Sequence, residues 1–145
     1  MTERQTGTGT EPQAGAGIGI LTGFSGFAVP DIEAARVFYA QTLGLTVRDG
    51  GMGLLSLELP GGAEVVVYPK PDHVPAVFTI LNFAVADIDA AVDELLARGV
   101  SFERYEGSPQ DEKGIARDPR GPQIAWFTDP AGNILSVLQD DGAAE

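Results

Sequence analysis

Phe27-Ala28-Val29-Pro30-Asp31-Ile32-Glu33-Ala34-Ala35 returns 56 residues later as Phe83-Ala84-Val85-Ala86-Asp87-Ile88-Asp89-Ala90-Ala91, with seven of nine positions identical. Agreement in register over so short a span marks an internal duplication rather than shared composition. Each copy reads the same way. Phe24 to Val29 and Val77 to Val85 are apolar runs rich in β-formers, so they are strand candidates. Asp31 and Asp87 stand where an N-cap belongs, just before helical periodicity begins.

Working outward, Ile32, Ala35, Val37, Phe38 and Leu43 form one apolar helix stripe, and Ile88, Ala91, Val92, Leu95 and Leu96 form another. Gly44 and Gly99 follow, at the place where a helix ends in a left-handed residue. Three further strand candidates follow each helix. They are Leu45–Arg48, Leu54–Leu59 and Glu64–Tyr68 in the first copy, and Val100–Tyr105, Gln123–Thr128 and Asn133–Leu138 in the second. Pro60-Gly61-Gly62 and Asp129-Pro130-Ala131-Gly132-Asn133 are turn sequences between the last two strands of each copy. The expected fold is α+β, two tandem βαβββ modules over about 21–71 and 76–139, with eight strands and two helices. Residues 1–20 are expected to be a disordered N-terminal tail and 140–145 a C-terminal tail. One face of each sheet is covered by its helix; the other must be covered by the second sheet or by a second chain.

The formal net charge of −12 argues against a nucleic-acid partner, because phosphate binding needs a basic surface. The absence of cysteine excludes disulfides, thiolate nucleophiles and Cys-ligated metals. No apolar run approaches the ~20 residues of a membrane helix, and the N-terminus does not read as a secretion signal. The expected location is cytoplasmic, with no membrane partner. No G-x-S-x-G, P-loop or strand-following G-x-G-x-x-G is present.

The run Asp31-Ile32-Glu33-Ala34-Ala35-Arg36-Val37-Phe38-Tyr39, with Leu43-Gly44-Leu45 beyond it, resembles the opening of vicinal oxygen chelate proteins, the glyoxalase/bleomycin-resistance/dioxygenase superfamily. Trp126-Phe127-Thr128-Asp129-Pro130-Ala131-Gly132-Asn133-Ile134 resembles their closing hairpin, and the resemblance spans about Gly23 to Gln139. It implies a cup lined by both sheets. In the family's enzymes, His, Glu or Gln ligands from the first and last strand of each module hold a divalent metal there. The first-strand ligand stands seven residues before the helix-starting Asp, which gives Phe24 and Ile80 here. The last-strand position gives Ser136, and Val66 or Val67 depending on register. Three apolar side chains and one hydroxyl are not a donor set for a catalytic divalent ion.

The resemblance thus implies a metal-free, largely apolar cup, with no cofactor, that takes a hydrophobic or aromatic metabolite or drug. Strand alternation proposes its lining as Phe24, Gly26, Glu64, Val66, Tyr68, Ile80, Asn82, Trp126 and Ser136. Trp126 reads either as a stacking wall or as packing against the second helix. The long Glu106–Pro122 connection reads as a solvated loop or as a lid presenting Arg117 or Arg120. His73, the lone histidine, reads as an exposed linker residue between Lys70 and Pro75. Pairing of symmetric sheets points to a homodimer. The alternative is an enzyme, a lyase, isomerase or dioxygenase of the glyoxalase kind, using an atypical ligand set drawn from Glu58, Glu64, His73 and Asn82.

Overall fold

A computed structural model describes residues 17–141; the outer parts of both expected tails, 1–16 and 142–145, lie outside the described residues. The first module comprises β1 (Ser25–Val29), α1 (Ile32–Val37), β2 (Thr46–Gly51), β3 (Leu54–Glu58) and β4 (Glu64–Pro69). The second comprises β5 (Thr79–Val85), α2 (Ile88–Ala97), β6 (Ile124–Thr128) and β7 (Ile134–Gln139). The fold is α+β with two sheets, ordered β1-β4-β3-β2 and β5-β7-β6. In each, the strand before the helix pairs in parallel with the last strand of its module.

The caps form as expected. Asp31 Oδ1 accepts from the amides of Glu33 and Ala34, each at 3.1 Å, and Asp87 Oδ1 from that of Ala90 at 3.1 Å. Gly44 and Gly99 take φ of +75° and +91°, which only glycine adopts without strain. Two expectations are corrected. The eighth strand, Val100–Tyr105, reduces to a single bridge between Phe102 and Phe127, because Gln110 and the Asp111–Ile115 turn occupy its backbone and side-chain partners instead. The first helix does not run unbroken to Leu43; it widens into a π-helical turn over Phe38–Thr42. That turn sets two consecutive aromatics against the second module. Phe38 lies 6.4 Å from Phe127, ring centre to ring centre, and the Tyr39 hydroxyl donates to Asp129 Oδ2 at 2.6 Å.

Alternation in the sheets decides where the core sits. Val29, Leu55, Leu57, Val65 and Val67 from the first sheet are buried with Ala125, Phe127, Leu135 and Val137 from the second. Ala35, Tyr39, Ile88, Val92 and Leu95 from the helical layer join the same cluster. Both helices therefore lie between the sheets in one shared core, and the two remaining sheet faces point away from each other.

Candidate functional site

The outward face of the first sheet follows from its register. Gly26 pairs with Val66, Val66 with Ser56, and Ser56 with Arg48, so these four form one row across the sheet. Val67 is fully buried in the core, which settles the register in favour of Val66 on the open face. Glu64 opposes Glu58 across the β3–β4 pair. Like charges side by side need partners, and both have them: Ser56 Oγ donates to Glu64, and Arg48 Nε donates to Glu58. Tyr68 and Phe24 complete this face. Phe24 precedes β1 and is 66% exposed.

On the second sheet the row is Asn82, Ser136 and Trp126. Ser136 is fully buried beneath its neighbours, and its hydroxyl donates to Asn82 Oδ1 at 2.5 Å. Ala125 and Phe127 on either side of Trp126 are buried in the core, so the indole stands on the open face rather than against α2. Tyr105 meets it edge to face, 5.2 Å between ring centres. That aromatic pair escaped the sequence reading, because Tyr105 lay in a stretch expected to be strand.

Ile80 is not where alternation puts it. The register shifts between Thr79 and Leu81: Thr79 pairs with Ile134 and Leu81 with Leu135. Ile80 is the extra residue of a bulge and packs against the core, leaving Thr79 on the outward row. The lid expectation is also corrected. Arg117 is bound to Asp89 of α2 at 2.8 Å and to Asp111 at 2.9 Å, while Lys113 reaches Asp93 at 2.9 Å. Ile115, between these cations, is fully buried. The segment is a strap fastened to α2, not a flap over an open face. Arg120 extends into solvent and pairs with its neighbour Asp118 at 2.6 Å.

The segment's carboxylates report the same fastening. The Arg117 hydrogen bond, with Lys113 behind it, holds Asp89 below the usual range. At Asp111 partial burial pushes upward, but the Ile115 amide and Arg117 outweigh it. His73 is half-buried in the linker, and its Nε2 is the one buried side-chain polar atom without a partner among the described residues.

The metal implied by the resemblance can be tested against these positions. Phe24, Val66 and Ile80 carry no donor atom, and Ser136 is buried and bonded to Asn82. Glu58, Glu64, His73 and Asn82 do not converge: among the described residues no three His, Cys, Asp or Glu side chains gather at one point. These residues do not fit a catalytic divalent ion.

A family model, Glyoxalase/Bleomycin resistance protein/Dioxygenase superfamily, matches residues 20–137. The chain belongs to this superfamily. Among solved structures it is similar to a glyoxalase/bleomycin resistance protein/dioxygenase from Nocardioides, at 21% identity over 85% of each chain with a TM-score of 0.61. It is also similar to an antibiotic-binding protein from Streptomyces, at 25% identity over 82% of this chain and 96% of that one, TM-score 0.58. A lactoylglutathione lyase from Agrobacterium tumefaciens matches at 20% identity over 85% and 96%, TM-score 0.58. At these identities the first and third show shared fold alone. No curated protein sequence matches the chain. The fold is thus shared by an antibiotic-binding protein and a lyase, and the fold alone does not choose a role for this chain.

Proposed function

We propose that the protein binds a hydrophobic or aromatic small molecule without metal, in a cup that closes between two copies of the chain. The observation that carries this reading is the chemistry of the open faces. At the positions where the superfamily's enzymes place ligands, this chain has Phe24, Val66, the bulged Ile80 and a buried Ser136. What those faces offer instead is aromatic and apolar surface with a few polar groups, the usual make-up of a ligand pocket. Trp126 with Tyr105 supplies a stacking wall, and Asn82, Glu64 and Tyr68 are placed to orient a ligand.

The homodimer follows from orientation. The two open faces of one chain point apart, so a cup lined by both needs a second copy. A two-fold pair would build two such cups. The antibiotic-binding relative from Streptomyces supports binding as a use of this fold.

Trp126 is the sole tryptophan, so its fluorescence reads the cup directly. Titration with planar aromatic compounds should give a saturable change, one ligand per cup, unaltered by a chelator. Trp126→Ala, read by isothermal titration calorimetry because the variant lacks the indole reporter, should weaken binding about tenfold, equivalent to about 1.4 kcal/mol. Binding that requires an added divalent ion, or no saturable change with any compound, overturns the reading.

A further inference from the structure

The duplication lets each contact between modules serve as a control for the other. The β6–β7 turn, Asp129-Pro130-Ala131-Gly132-Asn133, and the β3–β4 turn, Leu59-Pro60-Gly61-Gly62-Ala63, have the same length and the same closing bond. The Asp129 amide donates to the Asn133 carbonyl at 3.0 Å, as the Leu59 amide does to that of Ala63 at 2.9 Å. In the first contact the turn reaches across to β1. The Asn133 carboxamide donates to the Ala28 carbonyl on the free edge of that strand at 3.1 Å, and Tyr39 donates to Asp129 at 2.6 Å. The repeat has Ala84 at the place of Ala28 and Ala63 at the place of Asn133, so the second contact lacks that carboxamide. It is held elsewhere, by Arg98 Nη1 donating to the Thr42 carbonyl at 2.8 Å.

Beside that bond, a groove of about 550 Å³ lies between β5, α2 and the β3–β4 turn. Leu43, Leu45, Leu59 and Leu95 wall much of it, and Glu94 and Arg98 also border it. Those two are bonded to each other at 2.9 Å, so they present no uncompensated charge. Asn82 borders it too, but its Oδ1 is taken by Ser136. The unmet group is on the backbone. Successive residues of a strand turn their carbonyls to opposite edges. The Val85 carbonyl is taken on the β7 side by the Asp140 amide at 2.8 Å, just as the Val29 carbonyl is taken on the β4 side by the Lys70 amide at 2.8 Å. The Ala84 carbonyl therefore turns to the free edge, as the Ala28 carbonyl does, and among the described residues no donor meets it.

We infer that this groove is a second small-molecule site, and that it takes a neutral, largely apolar molecule carrying an amide N–H, which donates to the Ala84 carbonyl. The volume lies in the range of about 300–1,000 Å³ usual for ligand pockets, and apolar walls with a few polar groups are their usual make-up. Charge favours no ion, because Arg98 and Glu94 neutralise each other. The first contact shows which group the strand edge accepts: a carboxamide, held by Asn133 against the carbonyl equivalent to that of Ala84. A ligand amide there supplies what the repeat lacks and satisfies a backbone acceptor. The site is distinct from the proposed cup. Leu59, Phe83 and Leu95 belong to the core or pack against it, whereas Trp126 and Tyr105 pair on the open face. The inference does not depend on a second copy of the chain.

Naphthalene carboxamide and the matching methyl ketone have nearly the same shape, and only the first donates an N–H. In an NMR titration of the isotope-labelled full-length chain, the carboxamide should shift the backbone amides of Leu59, Ala84 and Leu95 saturably. The ketone should bind there about fivefold more weakly, the effect of one neutral hydrogen bond. Stacking in the cup shifts Trp126 and Tyr105 instead and is read separately. Ala63→Asn places a carboxamide where the other turn has Asn133, and Ala91→Phe fills the groove from α2. Each should abolish the Ala84 shift, with the signals of α1 unchanged as the check on folding. Equal affinity for carboxamide and ketone, an Ala84 shift that survives both substitutions, or shifts confined to the open face overturn the inference. Movement of the Ala84 signal with protein concentration rather than with ligand would give the groove to a second copy and overturn it too.

Discussion

Tyr39 is the residue on which the most depends for the least sequence signal. Its side chain is fully buried, yet its hydroxyl donates to Asp129, which also accepts from the Asn133 side chain and from the amides of Ala131 and Asn133. Burial, reinforced by the Asp129 charge, pushes the phenol well above its ordinary range, so it stays a donor at any working pH. Tyr39→Phe keeps the ring and removes one donor from a buried carboxylate. It should lower unfolding free energy by roughly 1–3 kcal/mol in urea denaturation. Gly44→Ala and Gly99→Ala should each cost about 1–2 kcal/mol, since both positions hold positive φ. The glycines were legible because a stripe of fixed period ends just before each. The role of Tyr39 was not, because its partner lies 90 residues away.

At the scale of elements, the two caps are the plainest case of local sequence setting local structure. Asp31→Ala or Asp87→Ala should each destabilise by about 1 kcal/mol, the usual worth of an N-cap side chain. The strap over 106–122 behaves differently, because its hold on α2 is ionic. Asp89 and Asp111 have pKa values depressed on folding, so their contribution is full above the ordinary Asp value and is lost as pH falls through the lower folded value. Opening of the strap, read as amide exchange relative to the intrinsic rate at each pH, should therefore stay flat from neutral pH to about pH 4 and rise below it. Asp89→Asn should loosen the strap at neutral pH and flatten that acid rise; an unchanged profile would mean the ion pairs do not fasten it. The sequence reading found the long connection and its charges, but Arg117 was as compatible with a lid as with a strap. Only the position of Asp89, in the first turn of α2 and facing the same segment, decides between them. The bulge at Ile80 is a similar case: alternation within one strand carries no information on how its neighbour pairs.

For the whole molecule, function turns on which way the open faces point. Two sheets with their helices gathered into one core leave both outer faces to solvent, so the proposed cup requires a second copy of the chain. A single chain should thus bind planar aromatic compounds weakly. Affinity should rise with protein concentration across the dimerisation range, read by Trp126 fluorescence at several dilutions. Binding independent of concentration would place the ligand within one chain.

By itself the sequence determined the duplication, a strand–helix–strands module in each half, both caps, the helix-ending glycines and the donor-poor character of the positions the resemblance marks for metal. These are properties of residues close together in the chain, or of a pattern compared with its own repeat. The tertiary structure alone decided that Val66 rather than Val67 faces outward, that Ile80 leaves the row, that Trp126 and Tyr105 share a wall, and that Arg117 is tied down. It also decided that one contact between modules is held through Tyr39 and Asp129 and the other through Arg98 and the Thr42 carbonyl. Each of these depends on register or on contacts between distant segments, which the core's packing sets and local sequence does not encode.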